Sequence, residues 1–178
     1  MIRKSKIIKV TELAILCTMS IILLLLLRIP IIFNAPFLKY DPSDIPIVIG
    51  VTLFDLNSGF KILLAVTLIQ GFLFSGSGIV GMIMHLISSG IFIALFNITY
   101  KLGNAIIKVA MTSAIMTLLI IPINYIFMKL YLGIPTEVIK VLILSATIPF
   151  NLIKFSLNSA LSILFIKIAS NHISKEIK

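Results

Sequence analysis

Residues 37–50 read FLKYDPSDIPIVIG: one lysine, two aspartates and two prolines set between long apolar runs. Asp41-Pro42-Ser43-Asp44 has the chemistry of a helix start. Aspartate caps, proline suits the first helical position, and an acid three residues on favours the positive end of the helix. The apolar run that follows, about 42–56, would span only about 22 Å as a helix, against a bilayer core of about 30 Å. A membrane helix that short starts below the surface. The segment before it, about 29–41 with Pro30, Asn34 and Pro36, then dips inward with it. Non-helical backbone at that depth is buried in protein or lines a cavity. The polar cluster is read either as a simple cap at Asp41 or as a cap that also closes a hollow.

The chain around this stretch is membrane-like. Of its 178 residues 60% are hydrophobic and 12% charged, with a mean hydropathy of +1.20. Soluble domains average about 45–50% apolar and about 25% charged. The expected fold is therefore an all-α integral membrane protein, residues 1–178 forming one membrane domain. Six candidate spans appear, at about 8–28, 42–56, 60–74, 79–100, 104–128 and 138–168, the second and third short. Six spans put both termini on one side. Arg3, Lys4, Lys6, Lys9, Lys61, Lys101, Lys108, Lys167, Lys175 and Lys178 share that side, against Arg28, Lys39, Lys129 and Lys140 opposite. This asymmetry predicts cytoplasmic termini, a multi-pass protein of the cell membrane, and an extracellular loop between helices one and two. The formal net charge of +9 follows from this placement at span ends and needs no nucleic acid. The single cysteine, Cys17, excludes an internal disulfide and reads as an inert thiol. Arg28-Ile29-Pro30 follows Leu27 where a signal peptide would show small residues, so the first span is read as uncleaved.

The last apolar segment is too long for one span: its 31 residues would reach about 46 Å. Pro149 lies inside it and predicts a kink or restart that frees a carbonyl near Ser145. Beyond it Asn151, Lys154 and Asn158 fall at i, i+3, i+7 on one helix face. A lysine in mid-membrane costs about 2.5–3.5 kcal/mol and points to a cavity or a partner, with snorkelling to an interface as the alternative. Asn124, behind Pro122, serves either a helix-to-helix hydrogen bond or a ligand. Gln70 and His85 read as local packing or hydrogen bonding. His85 has no second ligand at metal spacing, so no metal site is expected. Gly76-Ser77-Gly78-Ile79-Val80-Gly81 matches a dinucleotide fingerprint in letters only; it lacks the strand and the acid, and reads as a tight turn. Ala14 and Thr18 at i, i+4 form a small-residue face on the first helix, and Ala110 with Ala114 is an equal competitor. There is no ATP-binding loop, no catalytic triad and no intramembrane carboxylate pair, so neither an enzyme nor a self-powered pump is expected.

Phe37-Leu38-Lys39-Tyr40-Asp41-Pro42-Ser43-Asp44-Ile45-Pro46 resembles the stretch before the second helix in substrate-binding S-components of energy-coupling-factor (ECF) vitamin transporters, of the riboflavin type. Asn124-Tyr125 and Pro149-Phe150-Asn151-Leu152-Ile153-Lys154 extend the resemblance. It implies a pocket that takes a vitamin from outside under the loop, with no cofactor other than the carried ligand. It implies riboflavin or a related flavin, contacted by residues matching Asn124, Asn151 and Lys154. Leu38, Lys39, Tyr40, Asp41 and Phe150 are expected around it, the aromatic residues against the flavin rings. It also implies docking, through Ala14 and Thr18, on a membrane T-component that carries two ATPase subunits. The family's alanine pair is here Ala14 and Thr18, a departure at the docking face. The alternatives are an S-component for another vitamin or a modified base, or a non-transport membrane scaffold.

Overall fold

A computed structural model of the chain describes residues 2–33, 35–73 and 78–176. Seven α-helices follow in order: α1 Ile2–Leu26, α2 Asp44–Leu53, α3 Leu56–Leu73, α4 Gly78–Thr99, α5 Ala105–Leu130, α6 Thr136–Leu142 and α7 Ile148–Glu176. Among the described residues four helical stretches are long and apolar enough to cross a membrane: Lys6–Leu26, Ile79–Thr99, Ala105–Leu130 and Thr136–Ile168. α2 and α3 are the shorter apolar helices, as the 37–50 stretch predicts for α2.

The long last segment runs through α6 and α7 with a π-helical turn, Ile143–Thr147, between them. Pro149 explains the turn. Its ring crowds the carbonyl four residues back and it has no N–H to give, so the chain widens by one residue just ahead of it. The Ile148 N–H then reaches back to the Ile143 carbonyl. The expected kink is thus an overwide turn that keeps the helix continuous. Ahead of α6, Gly133 at φ +64 makes the turn that L side chains resist, and Ile134-Pro135 leads into Thr136.

The loop between α1 and α2 carries a feature that the all-α reading lacks. Ile29–Pro30 (β1) pairs antiparallel with Lys39–Tyr40 (β2). This ladder draws the two ends of the loop together, and Ala35 and Leu38 are buried against Ala146 and Phe150 beneath them. Asp41 does form a cap-like turn: its carboxylate accepts from the Ser43 N–H at 3.2 Å and from the Ser43 hydroxyl. The regular helix begins only at Asp44, later than the cap position implied. The expected turn over Gly76–Gly81 falls partly outside the described residues; from Gly78 onward the chain is already α4.

α5 lies along α7, α3 along α4, and α2 is wedged between α1, α3, α4 and α7. Gly59 lets α2 and α3 close up, since a Cβ there would sit 2.1 Å from Val51 Cγ2. The main core fills the end of the bundle away from the loop. Phe92, Phe96 and Phe155 are fully enclosed there with Ile47, Val48 and Leu63.

Candidate functional site

A chamber opens at the loop end of the bundle, with a cavity volume of about 150 Å³. That is below the roughly 300–1,000 Å³ typical of pockets for drug-sized ligands. Phe37, Leu38, Lys39 and Asp41 of the loop form its cover, with Arg28 beside them. Ile120, Ile123, Asn124 and Phe127 of α5 and Phe150, Asn151 and Lys154 of α7 form one wall. Gln70 of α3 and Gly81, Met84, His85 and Ser88 of α4 form the other.

Asn124 of α5 and Asn151 and Lys154 of α7 share one wall and are 5%, 3% and 8% exposed. The Asn151 Nδ2 donates to the Thr147 carbonyl at 2.8 Å, at the end of the π-helical turn. That bond fixes the amide plane and leaves its oxygen and second N–H for other partners. Lys154 is 18 residues from the start of α6, about 27 Å along the axis, so its short side chain cannot reach past that end of the segment. Asn158, on the same face, turns from the chamber toward α2.

Leu38, Lys39, Asp41 and Phe150 all line the chamber. Tyr40 does not appear in its wall. The side chain packs within the loop's own cluster beside Leu38 and Phe150, and burial, then Asp41 and Asp44, push its phenol up to about 12, so the hydroxyl stays protonated. Ala14 and Thr18 lie on an exposed face of α1, far from the chamber. The Thr18 hydroxyl donates to the Ala14 carbonyl at 2.9 Å.

The residue whose role sequence reasoning missed is Asp44, which does open α2 as a helix-start acid. It is fully buried. The Ser89 hydroxyl donates to its Oδ1, Asn158 Nδ2 donates to Oδ2 at 3.2 Å, and Lys154 Nζ lies 3.9 Å from Oδ2. His85 Nε2 is 3.5 Å from Oδ1, and the other ring nitrogen meets the Gln70 side-chain oxygen. Gln70 and His85 are therefore hydrogen-bonded, and they also face the chamber. The one available signal was Asp44 opening a ten-residue helix in which the other polar side chain is Thr52. Among the described residues no group of three or more His, Cys, Asp or Glu could hold a metal ion.

The chamber donates from one polar wall, offers Phe37, Phe127 and Phe150 as flat apolar surfaces, and presents no nucleophile paired with a base. That arrangement suits a planar, partly apolar guest with acceptors along one edge. A family model described as "ECF transporter, substrate-specific component" matches residues 8–166. The "Riboflavin transporter RibU" of Streptococcus thermophilus is 30% identical over 125 residues, 67% of this chain and 59% of that protein. The chain thus matches under two thirds of that relative's length. A solved structure described as "Structure and mechanism of the S component of a bacterial ECF transporter" superposes with a TM-score of 0.77 at 23% identity. It covers 94% of this chain and 98% of the other, and shows a shared fold.

Proposed function

The chain belongs to the substrate-specific components of ECF transporters, and from that premise we propose that it is the riboflavin-binding membrane subunit of a vitamin uptake system. The family is one of transporter components and not of enzymes. The observation that carries riboflavin is the shared wall of Asn124, Asn151 and Lys154. A flavin has carbonyl and ring-nitrogen acceptors along one edge of a flat, largely apolar ring system. Two amides and an ammonium match that edge, and Phe37 and Phe150 lie where rings can pack. The name of the Streptococcus relative supports the same ligand.

In this reading the loop end faces outside and both termini lie in the cytoplasm of a cell-membrane protein. The vitamin enters under the 37–41 cover. The Ala14–Thr18 face of α1 meets the T-component of a module carrying two ATPases. The Thr18 hydroxyl is satisfied inside its own helix, so that face stays small and offers no free donor, as an alanine pair would.

The test is a titration of riboflavin against the detergent-solubilised protein, followed by quenching of flavin fluorescence. Submicromolar, saturable quenching is expected. Absence of quenching at micromolar protein, or equal displacement of the flavin by thiamine or biotin, would overturn the reading.

A further inference from the structure

We propose that Asp44 is the positioning residue of the chamber: its carboxylate holds the Lys154 ammonium charged and in place by Coulomb attraction from behind, leaving the ammonium's N–H groups for the guest. The inference rests on the reading that Lys154 contacts the carried ligand. Nothing in a helix cap requires a fully buried carboxylate, and the geometry shows how this one is used. Each of its oxygens already accepts one hydrogen bond, Oδ1 from Ser89 and Oδ2 from Asn158. Lys154 Nζ stands off at 3.9 Å, within ion-pair range but beyond hydrogen-bond range. The ammonium therefore has a counter-charge without having spent its donors on it. Were the two directly hydrogen-bonded, a guest would compete with the carboxylate for the same protons.

The remaining charged and titratable groups around the ammonium are accounted for. His85 of α4 leans on the same carboxylate from the Oδ1 side and on Gln70 with its other nitrogen. Arg28, Lys39 and Asp41 line the chamber from the loop side. Asn158 Nδ2 also points to the Asp41 carbonyl, at 3.5 Å, which ties the cover of the chamber to the same carboxylate cluster. A buried ammonium without a counter-charge loses its proton readily. A charge pair broken on one side costs far more than a pair removed together.

Riboflavin quenching is measured with wild type, Asp44→Asn, Lys154→Ala and Asp44→Asn/Lys154→Gln between about pH 6 and pH 9. The proposal expects Asp44→Asn to bind at least about tenfold more weakly at the alkaline end and to regain affinity toward the acid end. Wild type shows no such slope. A merely structural role would weaken binding equally at all pH values. If Asp44→Asn binds as wild type does throughout while Lys154→Ala has lost binding, the proposal fails and the ligand reading stands. If Lys154→Ala keeps full affinity, the ligand reading itself fails. Should Asp44→Asn not fold, the double variant decides. Recovery of folded protein supports the charge pair, and continued failure to fold overturns it.

Discussion

The two ends of the bundle are built on opposite terms. At the loop end, α4, α5 and α7 present His85, Asn124, Asn151 and Lys154 around a hollow. Toward the other end the same helices bury Phe92, Phe96, Met116 and Phe155 in one apolar cluster. The change of character falls within a turn or two. On α7, Lys154 faces the chamber and Phe155 is fully enclosed, with the ammonium 5.5 Å from the neighbouring ring centre. The chamber lining and the apolar core are thus carried by different residues of the same helices.

That contrast breaks if substitutions at the two ends behave alike. The largest expected effect lies at the closed end. Phe155 touches Phe92 with ring centres 5.2 Å apart, and Phe155→Ala should cost about 3–5 kcal/mol of stability. Thermal denaturation in detergent checks this, while the flavin affinity of the protein that remains folded stays near wild type. Next comes Lys154→Ala at the open end, where losing a charged hydrogen bond to the ligand should weaken riboflavin about 10–100-fold. It should also lower the melting temperature, because Asp44 keeps its charge and loses its partner. Smaller again, Asn151→Ala and Asn124→Ala should each cost binding about 1 kcal/mol, roughly fivefold, with little change in melting. Calorimetry against fluorescence titration separates the two quantities.

The smallest effect is expected at the surface, where Lys9 donates to Asp55 at 2.7 Å. Its hydrogen bond to Lys9, then one from the Ser58 N–H, holds the Asp55 carboxyl down at about 2. A carboxyl lowered on folding stabilises the protein above its ordinary range and ceases to do so as pH falls through about 2. The difference in melting between wild type and Lys9→Met should therefore be slight and constant from neutral pH into mild acid. It should vanish only in strong acid.

The sequence already shows much of this. The six apolar runs end within a few residues of the helical stretches found, the last of them, 138–168, matching Thr136–Ile168 across the overwide turn. The short α2 and the covering loop follow from Asp41-Pro42 and from the length of the run after it. Asn151 and Lys154 stand out because a polar residue in lipid demands a reason. Asp44 did not stand out, since an acid in the first turn of a helix is common there whether or not it is buried. Its partner Asn158 lies 114 residues away, and only the packing of α2 against α7 brings them together. The β1–β2 ladder was hidden for a different reason. Two residues per strand show no alternation, and Pro30 argues against a strand by itself. Tyr40 was expected against a ligand on the strength of its ring, and the pairing of Lys39–Tyr40 with Ile29–Pro30 turns it instead into the loop's own cluster.

The overwide turn at Ile143–Thr147 has a consequence for α7 as a whole. Each residue of an α-helix advances the direction of its side chain by about 100°, so one surplus residue in that turn resets the angular phase of everything after it. Asn151 and Lys154 point where they do because of a bearing set one to two turns upstream. Trimming a single residue from that turn would swing both toward the flank of the helix, with both side chains still present and neither aimed at the chamber.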